Sequence, residues 1–190
     1  MWILCIVSVH DAVDENYLKA IDSFSELENL KSKGKINKIG VSVYDPSELR
    51  DIINNFNIDI VQIPLNLIDR RFEKEGLLDE LSSKKIEIHS RSTFLQGLLL
   101  MQNSDLPNYF EKWLNIFKDF DEWTVNNSIS KIGACLNYPI SLNSISKIVI
   151  AVNNLNQFTE LINIYNENHK GFPTICNNDS GLVDPRNWKI

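Results

Sequence analysis

The chain has 190 residues, a mass of 21.9 kDa and a formal net charge of −6, which sets it in the size range of one domain and against electrostatic binding of nucleic acid or an anionic membrane as its main activity. With 43% hydrophobic and 23% charged residues, and only seven Gly and six Pro, disordered, collagen-like and linker architectures are excluded. The cysteines Cys5, Cys135 and Cys176 form no C-x-x-C pair, so neither a disulfide framework nor a zinc knuckle is indicated, and a reduced cytoplasmic chain with ordinary buried thiols is expected.

The opening apolar segment, residues 1–10, is too short to span a membrane and lacks a signal-peptide cleavage pattern. Five near-continuous apolar runs, 3–9, 36–42, 58–63, 86–90 and 147–152, read as strands buried on both faces. Amphipathic helical patterns lie between them. Residues 17–33 carry Leu18, Ile21, Phe24, Leu27 and Leu30 near one face and stop at Gly34. Residues 46–56 start with Pro46 behind Asp45, a good N-cap, and set Leu49, Ile52, Ile53 and Phe56 together. A short helix is expected at 76–85, a longer helical excursion at 109–123 and 128–136, and a last helix at 155–168 with Phe158, Leu161, Ile162 and Tyr165 at helical spacing. Strand followed by helix, repeated, means a parallel sheet with helical crossovers. No linker or shift of composition divides the chain, so residues 1–190 read as a single domain. There is no G-x-G-x-x-G turn after the first strand and no P-loop.

In βα proteins chemistry sits at the C-terminal ends of the strands. Here those ends are Ser8-Val9-His10-Asp11, Ile39-Gly40-Val41-Ser42-Val43-Tyr44, Val61-Gln62-Ile63-Pro64-Leu65-Asn66 and the stretch from Arg91 through Ser92-Thr93-Phe94-Leu95-Gln96-Gly97, followed by Asn153-Asn154 after the last run. Gln62 stands out, because a primary amide inside an apolar strand needs hydrogen-bond partners. A ligand amide could be one, and a cross-link between strands is the structural alternative.

These motifs, with Gly34-Lys35-Ile36, Asp69-Arg70-Arg71, residues 149–157 and the closing Leu182-Val183-Asp184-Pro185-Arg186-Asn187-Trp188, resemble in order the C-terminal part of the aldo-keto reductase family. The branch found in bacterial sugar and polysaccharide gene clusters is the most similar. That resemblance implies an α/β fold built as part of a (β/α)8 TIM barrel, namely βα units four to eight with the first three units absent. It implies an NAD(P)H-dependent carbonyl (aldo-keto) reductase acting on a small-molecule carbonyl substrate of sugar-related type. His10 matches the family's active-site histidine, which hydrogen-bonds the substrate carbonyl oxygen. Ser42 and Gln62 match residues that hold the nicotinamide carboxamide. Arg91 stands where many members stack an aromatic ring on the nicotinamide. Ser92, Leu95 and Gly97 match the loop that wraps the pyrophosphate, and Asn153, Asn154, Gln157 and Glu160 the segment that reads the adenosine end. The adenosine segment offers asparagines rather than a cation, so NADP is not favoured over NAD. Val43 replaces a common Asn, and Ala151 a common Gly.

The family's catalytic tyrosine, lysine and aspartate belong to the units that precede His10 in family order, and none of Tyr17, Tyr44, Tyr109, Tyr138 or Tyr165 matches the tyrosine. A closed barrel of this type usually needs ~250 residues and rarely fewer than ~200. The expectation is therefore a truncated chain with weak or no turnover. The alternative is a non-catalytic pseudoenzyme, or a subunit completed by another polypeptide. Unpaired edges at the first and last strands would invite homo- or hetero-association. No metal site is expected, because Asp11, Asp14 and Glu15 read as a solvated acidic loop. Asp69-Arg70-Arg71 reads as an ion-pairing loop rather than a phosphate clamp, and Phe110, Trp113, Phe117, Phe120 and Trp123 as helix packing rather than a ligand cage.

Overall fold

A computed structural model of the chain describes residues 5–8, 17–165 and 171–190. Five strands, β1 (Cys5–Ser8), β2 (Ile39–Ser42), β3 (Ile60–Pro64), β4 (Glu87–Arg91) and β5 (Ile145–Ile148), hydrogen-bond in chain order. The helices are α1 (Tyr17–Ser32), α2 (Pro46–Asn55), α3 (Arg71–Lys74), α4 (Leu77–Ser83), α5 (Leu114–Asn126), α6 (Lys131–Ser141), α7 (Leu155–Tyr165) and α8 (Ser180–Val183). The backbone falls into two compact units, residues 1–63 with 72–89, and residues 64–71 with 90–190. The sequence pattern held no such division, because the boundary runs through strands β3 and β4 rather than through a linker.

In the first unit β1 pairs parallel to β2, Cys5 with Ile39 through Ser8 with Ser42, and β2 pairs parallel to β3, Gly40 with Ile60 through Ser42 with Gln62. The Glu87 N–H donates to Asp59 O at 2.8 Å. Apolar residues dominate β2 and β3 because both faces are covered, and Ile39, Val41, Ile60, Val61 and Ile63 are all buried. Helix α2 begins as its sequence implies: Asp45 caps it by accepting from Ser47 N at 2.9 Å, Pro46 occupies the first turn, and Leu49 and Ile52 are buried. Phe56, just past its end, stacks on Phe24 of α1 with ring centroids 4.2 Å apart. Gly40 is needed for a close approach. A Cβ there would lie 3.0 Å from both the Cβ and the carbonyl oxygen of Ile60.

The second unit has one apolar core. Leu65, Leu67, Ile68, Leu95 and Leu99 pack with Phe110, Trp113, Phe117 and Phe120, with Tyr138 of α6, and with Leu182 and Val183 of α8. The aromatic run is therefore packing: Phe110 meets Trp188 edge-on at 4.9 Å and Phe117 edge-on at 6.5 Å. Cys135 is fully buried, which pushes its thiol well above the usual range, whereas Cys176 is only half-buried.

Residues 64–71 are fastened to chain far downstream. Arg70 Nη2 donates to Pro173 O at 2.9 Å while its guanidinium lies over the Tyr138 ring, 4.5 Å from the centroid. Asn177 N donates to Ile68 O at 2.9 Å. Asp69 is wholly buried and accepts from Arg71 Nε at 2.8 Å and Nη2 at 3.0 Å. The ion-pairing loop expected from the sequence is present. Burial pushes the Asp69 carboxyl up, and Arg71 pulls against it without reversing the shift. Burial also opposes the charge on Asp184, but hydrogen bonds from Arg186 outweigh it and hold that carboxyl below the usual range.

The last strand differs from its expected position. The run 147–152 was the apolar signal, yet β5 spans Ile145–Ile148, and residues 151–160 are exposed. Strand β5 stands at the end of the sheet order, so among the described residues its apolar extension has no second neighbouring strand to hold it. Among the described residues no helix is long and apolar enough to cross a membrane.

Candidate functional site

The sequence-nominated residues of the first unit meet at the ends of β2 and β3. Ser42 and Gln62 are register partners, and Ser42 Oγ donates to Gln62 Oε1 at a long 3.4 Å. Ser42 is 7% exposed and Gln62 is partly buried. With its oxygen turned to Ser42, the Gln62 amide keeps its nitrogen without a partner among the described residues. The pair thus offers an N–H donor and a hydroxyl within one strand spacing. That is complementary to a primary carboxamide, which presents one carbonyl and one NH2. The strands hold the pair firmly: Val43 N donates to Gln62 O at 3.1 Å just beyond the register pair. His10 lies outside the described residues.

Strand β4 of the same sheet carries a further polar group that the sequence reading does not single out. His89 is buried and its Nε2 lies 2.8 Å from Glu87 Oε1, while Glu87 also pairs with Lys38. The hydrogen bonds from His89 and Lys38 hold the Glu87 carboxyl down at about 2. The available signal was the alternation along β4, where Glu87, His89 and Arg91 share one face at period two.

In the second unit the turn after β4 has an unusual backbone. Ser92, Leu95, Gln96 and Gly97 all have positive φ, at 60°, 46°, 56° and 88°. Three of these are not glycine, so the loop stores strain of the kind found at ligand-holding segments. Internal bonds fix it: Leu95 N donates to Ser92 O at 2.8 Å, Gly97 N to Phe94 O at 2.9 Å, and Asn66 Nδ2 to Ser92 O at 3.1 Å. Arg91 Nη1 donates to Ser92 Oγ at 3.3 Å, bringing the guanidinium to the start of the turn. Thr93 is buried and its hydroxyl has no hydrogen-bond partner among the described residues, and the same holds for the Ser90 hydroxyl. Polar atoms buried in this way cost stability unless something supplies the missing partner. A left-handed turn with a cation at its start and an unspent hydroxyl inside it fits a phosphate group.

The downstream nominees form a second, more ordinary structure. Gln157 N donates to Asn154 Oδ1 at 3.0 Å and Gln157 Oε1 accepts from Asn153 N at 2.8 Å. This is a reciprocal cap at the start of α7, so Asn154 and Gln157 have a structural duty independent of any ligand. Glu160 is exposed on α7. The structure brings together Ser42 with Gln62, Arg91 with Ser92, Leu95 and Gly97, and Asn153 with Asn154 and Gln157.

Parallel strands in chain order, helical crossovers, and polar groups gathered at the strand ends define an α/β protein of the type that carries its chemistry on βα loops. The Aldo/keto reductase family model matches residues 5–170, and the chain belongs to that family. NADH-specific methylglyoxal reductase of Escherichia coli (strain K12) is 33% identical over 78 residues, which are 41% of this chain and 24% of that protein. The apo form of an aldo-keto reductase from Bacillus halodurans superposes with a TM-score of 0.68 at 17% identity, covering 87% of this chain and 56% of that one. A glycerol dehydrogenase from Gluconobacter oxydans superposes with a TM-score of 0.50 at 20% identity, covering 75% and 53%. The chain thus spans about half the length of the structures it matches.

Proposed function

We propose that these 190 residues are βα units four to eight of a single (β/α)8 barrel domain, and that they form the cofactor-holding part of an NAD(P)H-dependent carbonyl reductase acting on a small, sugar-related carbonyl compound. The Ser42–Gln62 pair carries this reading. It is an amide-complementary pair at adjacent strand ends, in a chain of this family.

A bound nicotinamide supplies the hydride. The chain's own residues bind and orient. Ser42 and Gln62 hold the carboxamide, and so fix which face of the ring is presented. Arg91 would offer its planar guanidinium to the cofactor. Ser92, Leu95 and Gly97 curve the backbone around the pyrophosphate, while Asn153, Asn154, Gln157 and Glu160 line the adenosine end. His10 donates a hydrogen bond to the substrate carbonyl oxygen. Asparagines at 153 and 154, and the name of the Escherichia coli relative, favour NADH as the first cofactor to test. A cytoplasmic setting goes with that cofactor.

None of the five tyrosines matches the family's proton donor, and this favours a second reading in which the 190-residue chain is non-catalytic by itself or completed by another polypeptide. Fluorescence titration separates the cases. The purified chain is expected to bind NADH with little carbonyl-dependent oxidation of it, and Gln62→Ala is expected to weaken binding about tenfold, as loss of one or two ligand hydrogen bonds does. Absence of NADH and NADPH binding would refute both forms of the reading. Turnover at enzyme-like rates would refute the non-catalytic one.

A further inference from the structure

Asn66, just past β3, is wholly buried. A primary amide in that position must bond its polar atoms inside the protein. Its Oδ1 accepts from Ile68 N at 3.0 Å and from Asp69 N at 2.9 Å, and its backbone N–H donates to Asp69 O at 3.1 Å. The side chain thus closes the 66–69 loop on itself, while its Nδ2 donates outward to Ser92 O at 3.1 Å. This set fixes which way the amide faces. Turned over, it would put an NH2 against the N–H groups of Ile68 and Asp69 and an oxygen against the Ser92 carbonyl.

The outward bond ends on strained backbone. Ser92 has a φ of 60°, and its carbonyl oxygen also accepts from Leu95 N at 2.8 Å, the bond that closes the turn. A serine keeps a left-handed conformation only where its surroundings impose it. Here the same carbonyl is held from inside the turn by Leu95 and from another loop by Asn66. That other loop is itself fastened: Arg71 pairs with Asp69, Arg70 Nη2 donates to Pro173 O, and Asn177 N donates to Ile68 O. All of these residues belong to the second unit. A donor mounted on a fastened loop is a firm support for a strained turn.

We propose that Asn66 is the positioning residue of the left-handed turn 92–97, holding it in its strained form before any ligand arrives. The positioning stands on the hydrogen bonds alone. Its consequence for affinity rests on the reading of this turn as the segment that wraps the pyrophosphate. A preformed turn does not have to be ordered on binding, so the Asn66 donor strengthens binding without touching the ligand.

Asn66→Asp isolates the donor. It keeps Oδ1 for Ile68 N and Asp69 N, and sets its second oxygen against the Ser92 carbonyl in place of Nδ2. Ionised, the new carboxyl repels that carbonyl; protonated, it donates to it. The charged groups around it are Asp69, Arg70 and Arg71 on its own loop, Arg91 beside Ser92, and Asp184, whose charge reaches Asp69. At pH 8 the variant of the 190-residue chain is expected to bind NADH about tenfold more weakly than the parent. Amide hydrogen exchange at 92–97 is expected to be faster, with 66–71 still protected. At pH 6 both differences should shrink, because burial favours the protonated carboxyl. Asn66→Ala donates at neither pH and should stay weak at both. Gln62→Ala should weaken NADH binding with exchange at 92–97 unchanged. Parental exchange at 92–97 in both Asn66 variants would overturn the proposal, as would a loss in Asn66→Asp that is the same at both pH values. Faster exchange with parental NADH affinity would overturn the link to the cofactor. Faster exchange in the variants of a parent chain that binds no NADH would uphold the positioning and refute the proposed function instead.

Discussion

Replacing Gly40 by Ala tests whether the β2–β3 spacing positions the Ser42–Gln62 pair proposed above to hold a carboxamide. The added Cβ would lie 3.0 Å from the Ile60 Cβ and 3.0 Å from the Ile60 carbonyl oxygen. Non-bonded carbon pairs rest at ~3.5–4.0 Å, so the strands must separate by about half an ångström. One obstacle is backbone held in a parallel ladder and cannot rotate away. Overpacking of this size costs ~1–3 kcal/mol. A value near 2 kcal/mol is expected, because the alanine also gains a little from reduced unfolded-state entropy. Gly40 pairs with Ile60 two residues before Ser42 pairs with Gln62, so the separation propagates into the 3.4 Å contact between them. Urea unfolding followed by circular dichroism reads the stability, and NADH fluorescence reads the site. Both stability and affinity should fall. Unchanged stability would refute the packing argument. A loss of stability with full NADH affinity would show that the pair does not depend on this spacing.

Two other substitutions address charges. The Glu87 carboxyl, at about 2 in the fold, lies below its ordinary value of ~4.3, so its contribution is full above that ordinary value and is lost as the pH falls toward 2. Solvent screening at Lys38, whose side chain is 48% exposed, reduces the contribution to on the order of 1 kcal/mol. Glu87→Gln is therefore expected to lower stability by that amount at neutral pH and to flatten the acid limb of a stability–pH curve, and an unchanged limb would refute the assignment. Arg71→Met strands the buried Asp69 carboxylate and is expected to cost ~3–5 kcal/mol at pH 7. Because the folded Asp69 carboxyl already titrates above its usual range, protonation favours the fold, so the deficit should shrink as pH falls. Adding Asp69→Leu should recover most of it, and a double variant as unstable as Arg71→Met would refute the charge argument.

Much of the architecture was legible because local signals agreed. Asp45-Pro46 marks the start of α2, and Ile- and Val-rich runs without polar alternation mark β2 and β3. Gln62 was legible for a different reason, since an amide in an apolar strand conflicts with its surroundings. The segment after β5 misled because apolarity reports what a chain is suited to bury, not what is there to bury it. Hydrophobic pattern also gave no hint of the left-handed turn at Ser92, Leu95 and Gln96, since these residue types do not favour that conformation. The His89–Glu87 contact is local, two residues apart on one face of β4, whereas the Lys38 that also holds Glu87 is 49 residues away, and no local pattern shows that second pairing.

The fastening of residues 64–71 to chain near 173 also governs the timing of folding. Arg70 and Pro173 are 103 residues apart, and synthesis proceeds at ~5–20 residues per second. Leu65, Leu67 and Ile68 therefore leave the ribosome many seconds before Ile175, Leu182 and Val183 arrive to cover them. The first unit can form early, while the second stays open to proteases and chaperones until its later residues emerge. Ribosome-bound intermediates of increasing length should thus gain protection in two stages, with the second stage set by the passage of Pro173.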